Sequence, residues 1–118
     1  MPGAISVLIV EDDEGISALM RGVFEDEGFR VRSALSGEQG LELLADEAPD
    51  VIVLDLMLPG MSGMTFLEHI RSDGHQTPVV ITSALRGGKQ LADGAGAAFV
   101  AKPFDLEQLI RAVRSATT

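Results

Sequence analysis

The chain has 118 residues, of which 46% are apolar and 23% charged, the composition of an ordinary globular domain and not of a collagenous, disordered or membrane-spanning chain. It contains no cysteine, so disulfide frameworks, thiolate metal sites and cysteine nucleophiles drop out. Eighteen acidic against nine basic residues give a formal charge of -9, which would repel a phosphate backbone and leaves no basic stripe for direct nucleic-acid binding.

In chain order, Met1-Pro2-Gly3-Ala4 lacks the charged start and apolar region of a signal peptide. No apolar run is long enough to cross a bilayer, and a cytoplasmic location is the expectation. Val7-Leu8-Ile9-Val10 predicts a strand buried on both faces, and Glu11, Asp12 and Asp13 follow it. Ile16, Leu19, Met20, Val23 and Phe24 fall on one helical stripe and predict an amphipathic helix with that stripe in the core. Arg30-Val31-Arg32-Ser33-Ala34 alternates, as a strand at a sheet edge does. Ser36 with Gln39 resembles a capping box opening a helix through Leu41 and Leu44. Val51-Ile52-Val53-Leu54 predicts a third buried strand ending at Asp55, and Ser62 is placed to cap a helix with Met64, Leu67 and Ile70 inward.

Val79-Val80-Ile81 predicts a fourth strand, followed by Thr82 and Ser83. The stretch from Ala84 to Gly96 carries Gly87, Gly88, Gly94 and Gly96, with Leu91 as nearly its only large inward candidate. Interior glycines each cost a helix about 1 kcal/mol relative to alanine, so the fourth helix is expected to be short or poorly formed. Ala97-Ala98-Phe99-Val100-Ala101 predicts a fifth strand, Lys102-Pro103 follows, and Leu106, Leu109, Ile110 and Val113 mark a last amphipathic helix. No repeat, low-complexity tract or linker interrupts the pattern. The expectation is one α/β domain over residues 1–118: three layers, doubly wound about a parallel sheet.

Ligands of such sheets bind beyond the carboxyl ends of the strands. There stand Glu11, Asp12, Asp13, Asp55, Thr82, Ser83 and Lys102. Singly, most have plain structural readings: the first acids as helix caps, Ser83 as a turn hydroxyl, Lys102 as a solvated surface residue. Asp55 resists such a reading, because it lies between Val51-Ile52-Val53-Leu54 and Leu56-Met57-Leu58, where an unpaired charge is costly. Like charges about 5 Å apart at an effective dielectric near 20 repel by about 3 kcal/mol. A hard divalent cation relieves that repulsion, and magnesium needs only one or two carboxylates besides a carbonyl and waters. An aspartate beside such a cation can attack a phosphoryl group, with a lysine and a hydroxyl holding the transferred oxygens. The chemistry suggested is phosphoryl transfer to Asp55.

The runs VLIVEDDEG, DVIVLDLMLPGMSG, PVVITSA and GAAFVAKPF resemble, over essentially the whole chain, the receiver domain of two-component response regulators, the CheY-like superfamily. The resemblance implies a flavodoxin-like fold with strand order 2-1-3-4-5. It implies Asp55 as the phosphoacceptor and Glu11 and Asp12 as the acid pair that binds magnesium, with Asp12 preferred as direct ligand. A one-residue shift would exchange the roles of Asp12 and Asp13, the latter otherwise a helix cap. The main-chain carbonyl of Met57 would complete the protein ligands. Ser83 matches the switch hydroxyl, Ala84 the small residue whose amide binds phosphate, Lys102 the family's lysine, and Phe99 its rotameric aromatic. A cis peptide is implied before Pro103.

Three departures stand out: serine for threonine at 83, no tyrosine hydroxyl at 99, and a stretch from 84 to 96 about three residues short for the family. The last puts in doubt any output surface carried over with the fourth helix. The implied partners are a histidine kinase or histidine phosphotransfer domain and an output protein that the sequence does not identify; homodimerisation stays open. The chain would then be a switch with self-catalysed phosphoryl acceptance and loss, and no enzyme. A degenerate receiver that only binds partners is the first alternative. A haloacid-dehalogenase-type phosphatase would want a second aspartate where Met57 stands. A flavin module would want a phosphate-cradling loop where Glu11-Asp12-Asp13 is acidic.

Overall fold

The computed structural model describes residues 3–118; Met1 and Pro2, with the signal-peptide reading that begins on them, lie outside the described residues. Ten elements alternate: β1 (Ser6–Val10), α1 (Glu14–Asp26), β2 (Arg30–Ala34), α2 (Gly37–Asp46), β3 (Val51–Asp55), α3 (Gly63–Ser72), β4 (Val79–Ser83), α4 (Gly88–Gly94), β5 (Ala98–Ala101) and α5 (Leu106–Ala116). The five strands are parallel in the order β2-β1-β3-β4-β5, the doubly wound arrangement expected. No helix among the described residues is long and apolar enough to cross a membrane.

The unbroken apolar runs are the strands covered on both faces. Val7, Leu8, Ile9 and Val10 are wholly buried, as are Ile52, Leu54, Val80 and Ile81. Leu8, Val10, Ile52, Leu54, Val79 and Ile81 face one layer, with Leu44 of α2, Phe66, Leu67 and Ile70 of α3 and Ala92 of α4. Val7, Ile9, Val53, Val80 and Val100 face the other, with Met20 and Phe24 of α1 and Leu109 and Val113 of α5. β2 lies at the edge with Arg30 exposed and Val31 buried, as its alternation implied.

Side-chain caps start four of the helices. Asp13 Oδ1 accepts from Ile16 N at 3.0 Å, Ser62 Oγ from Thr65 N at 3.2 Å and Asp105 Oδ1 from Glu107 N at 2.8 Å. Ser36 Oγ accepts from Gln39 N, but Gln39 Oε1 returns to Leu35 N rather than to Ser36 N, a capping box shifted by one residue. α4 alone starts without a side-chain cap, on Gly87 at φ +84°, and its seven residues make it short, as its glycines predict.

Two inward assignments are corrected. Leu19 is 51% exposed: α1 turns Met20 and Phe24 squarely to the sheet, which leaves Leu19 on the flank of the stripe. Leu91 is 42% exposed, because two turns of α4 present only one face, and Gly88 and Ala92 occupy it. Phe66, wholly buried, is a core anchor that the α3 stripe omitted. β3 and β4 also run farther than their apolar segments, so Asp55, Thr82 and Ser83 are strand residues.

Candidate functional site

In-register parallel strands bring their carboxyl ends level. Val10 pairs with Leu54, Asp55 with Thr82, and Ser83 with Ala101. Glu11 N donates to Ala34 O at 3.0 Å and Lys102 N to Ser83 O at 2.9 Å, carrying the ladder one residue past β1 and β5. Glu11, Asp55, Ser83 and Lys102 therefore meet at one edge of the sheet.

Lys102 Nζ lies 2.5 Å from Glu11 Oε1 and 3.0 Å from Asp55 Oδ2. Glu11 is 1% exposed and Asp55 6%, so the ammonium compensates two carboxylates held out of water. The remaining oxygens have backbone donors: Glu11 Oε2 accepts from Asp13 N at 3.1 Å and Asp55 Oδ1 from Met57 N at 3.0 Å. Burial pushes the Glu11 carboxyl above its ordinary pKa, outweighing the hydrogen bonds from Lys102 and Asp13 that lower it. Burial alone would lower the Lys102 ammonium, but its hydrogen bonds to Glu11 and Asp55 and their charges together hold it above the ordinary lysine value.

Asp12 is exposed, and one carboxylate oxygen each from Glu11, Asp12 and Asp55 lies within 4.8 Å of the others. This all-oxygen donor set suits a hard divalent cation. Since both oxygens of Glu11 are engaged, Asp12 is the freer of the first two acids. Asp13 is the cap of α1.

Ser83 is buried, and its Oγ accepts from Leu85 N at 3.0 Å, which leaves the hydroxyl proton free. Ala84 is exposed beside it. Phe99 is half-buried and packs against the core on the α4 side, so closely that a Cβ on Gly88 would stand 3.0 Å from its Cε1. The Lys102–Pro103 peptide is cis. Ile16, Leu19, Ala84, Lys102, Pro103 and Phe104 line a shallow apolar groove along the rim.

Two features of the site were not assigned from sequence. A Cβ on Gly63 would stand 2.3 Å from Asp55 O and 2.6 Å from Leu56 Cα, so only glycine lets α3 start against the end of β3. Thr82 Oγ1 is the one buried side-chain polar atom among the described residues without a hydrogen-bond partner. A hydroxyl inside an otherwise apolar, doubly covered strand was its available signal.

The family model described as the response regulator receiver domain matches residues 7–114. Among curated relatives, the uncharacterized transcriptional regulatory protein YcbL of Bacillus subtilis is 38% identical over 112 residues, 92% of this chain and 49% of that protein. YkoG of the same organism, also an uncharacterized transcriptional regulatory protein, is 34% identical over 113 residues, 93% of this chain and 50% of that protein. The chain thus spans about half the length of the curated relatives it matches. Among solved structures, the receiver domain of the Francisella response regulator 1452 superposes with a TM-score of 0.90 at 32% identity, covering 96% of each chain. The chemotaxis protein CheY4 of Vibrio cholerae superposes at 0.88 and 26% identity, covering 97% of this chain and 99% of that one.

Proposed function

The chain belongs to the response regulator receiver domain family of two-component signalling, and from that membership we propose that it is a phosphorylation-dependent switch whose phosphoacceptor is Asp55. The observation that carries the reading is the buried Asp55 carboxylate, held by Lys102 Nζ at 3.0 Å with the oxygens of Glu11 and Asp12 close by.

In this reading a carboxylate oxygen of Asp55 attacks the phosphorus of a phosphohistidine on a kinase or phosphotransfer domain. The new P–O bond forms as the N–P bond breaks, and the imidazole leaves with that electron pair. Asp12 and Asp55, with the Met57 carbonyl, would hold magnesium, and Glu11 anchors the edge of that site through Asp13 N and Lys102. Bound there, magnesium would supply positive charge against the phosphoryl oxygens. Lys102, kept protonated by its neighbours, donates to the phosphoryl group. Ser83 turns its free proton to another phosphoryl oxygen, and the Ala84 amide takes a third. Loss of phosphate is a separate hydrolysis: water attacks phosphorus, the P–O bond to Asp55 breaks with its electron pair going to the carboxylate, and inorganic phosphate leaves. The chain turns over no other substrate.

The groove beside Lys102, with Leu19 exposed in it, is where the histidine-bearing partner approaches. Movement at Ser83 reaches Phe99 and, through its contact at Gly88, α4, which makes the α4–β5 face the output surface. The net charge of -9 argues that this domain does not itself bind nucleic acid. Any regulation of transcription, the role printed in the names of YcbL and YkoG, would lie with a further segment or partner that the domain controls. Such a regulator would work in the cytoplasm.

Incubation with magnesium and a small phosphodonor, followed by intact mass, tests the proposal. One added phosphate that is absent in Asp55→Asn supports it, and an unchanged mass with every donor overturns it.

A further inference from the structure

Ile9, Val53, Val80 and Val100 belong to the core layer beneath α1 and α5. Side chains two residues farther along a strand share its face, so Glu11, Asp55, Thr82 and Lys102 all project toward that layer at the carboxyl edge. β4 lies between β3 and β5. Lys102, leaving β5, must therefore cross the column of β4 to reach Asp55 on β3 and Glu11 on β1. Thr82, the register partner of both Asp55 and Val100, stands in that column. It is 0% exposed, and its hydroxyl has no partner.

An ammonium has three donors, and the carboxylates of Glu11 and Asp55 take two of them. Both residues belong to the acidic cluster. A divalent cation held by Asp12 and Asp55 would compete with Lys102 for the Asp55 carboxylate, and the ammonium proton so released then needs an acceptor within the buried edge. We infer that Thr82 is a positioning residue for Lys102, its hydroxyl accepting from the ammonium when a divalent cation takes the Asp55 carboxylate. The inference rests on the receiver reading for its cation and adds a residue outside that reading. Without the Thr82 hydroxyl, Lys102 stays on the carboxylates and opposes cation binding. Filling the strand, by contrast, is a role valine would perform equally well.

The test is magnesium titration by calorimetry, with thermal melts in chelator, on the parent, Thr82→Val and Thr82→Ser and with no phosphodonor present. Thr82→Val should melt at or above the parent in chelator, since it removes a buried unpaired hydroxyl for an isosteric methyl. It should also bind magnesium about tenfold more weakly, the usual effect of losing an outer-shell partner. Thr82→Ser, which keeps the oxygen, should bind within about threefold of the parent. Parental magnesium affinity in Thr82→Val overturns the role of Thr82, as does equal weakening in both variants, which would mark a packing effect. A parent that does not bind magnesium at all overturns the cation reading itself and this inference with it.

Discussion

Gly63→Ala measures how closely α3 is fitted to the strand that presents Asp55. The added Cβ would stand 2.3 Å from Asp55 O, 2.6 Å from Leu56 Cα and 3.0 Å from Asp55 C. All three are backbone atoms, so no rotamer change relieves the clash. Ordinary contact begins at 3.4 Å, so the start of α3 must withdraw by about 1 Å, and the bond from Gly63 N to Leu56 O at 2.9 Å stretches with it. Overpacking a tight site costs about 1–3 kcal/mol, and a purely backbone clash belongs at the upper end, about 3 kcal/mol. For a chain of this size that lowers the melting temperature by roughly 12 °C. Displacing the end of β3 also disturbs the Asp55 contacts to Met57 N and Lys102 Nζ, and a misplacement of about 1 Å can slow chemistry about 100-fold. Gly22→Ala is the control: on the exposed face of α1, its Cβ meets nothing within 4 Å, and it should stabilise by up to about 1 kcal/mol. Thermal melts followed by circular dichroism, with phosphodonor labelling rates, read both effects. A Gly63→Ala protein that melts within about 2 °C of the parent, or moves in the same direction as Gly22→Ala, would refute the close-approach argument.

Lys102→Met leaves the carboxylates of Glu11 and Asp55 buried without their cation, which should cost about 3–5 kcal/mol in chelator; magnesium should recover much of it, and an unchanged melt would show that the ion pair carries no structural weight. Asp12→Asn should stabilise the metal-free protein, by less than about 1 kcal/mol because Asp12 is exposed and screened, and so raise its melting temperature, while abolishing stabilisation by magnesium; a lower melt in chelator would mean that Asp12 is a satisfied capping group. Beryllofluoride should slow hydrogen exchange over residues 84 to 96, where α4 is short, uncapped by a side chain and bounded by glycine, and leave residues 37 to 44 little changed. Equal, slow exchange of both segments in both states would place the output elsewhere.

The apolar runs were legible as strands because both sheet faces are covered, and Arg30 and Arg32 marked β2 as an edge for the opposite reason. The strand-end rule then drew Glu11, Asp12, Asp55, Ser83 and Lys102 together without any distance being known. What it could not show is how the charges pair: Lys102 serves Glu11 and Asp55 at once only because β5 and β1 flank β3-β4 within reach of one long side chain. Strand order itself came from the family resemblance, since short crossovers alone permit several windings. Leu19 and Leu91 were misplaced because helical periodicity gives a face about 100° wide, and only the packed partner decides its centre. Against α4 that partner is Phe99, which selects Gly88 and Ala92 and turns Leu91 away. Gly63 reads in sequence as a helix start, and nothing local reveals the Asp55 carbonyl that its Cβ would strike. The orphaned Thr82 hydroxyl depends on neighbours from three strands.

The central claim, that Asp55 carries the phosphoryl group, is tested most directly by borohydride reduction of the phosphorylated protein and sequencing of the peptides spanning residues 1 to 21 and 33 to 71 by mass spectrometry. An acyl phosphate on aspartate is reduced to homoserine, whereas a phosphoester or an unmodified carboxylate is not. The expected result is homoserine at position 55, formed only when phosphodonor and magnesium are both present. Homoserine at Asp12 or Asp13, or phosphate that survives reduction on a serine or histidine, would contradict the account.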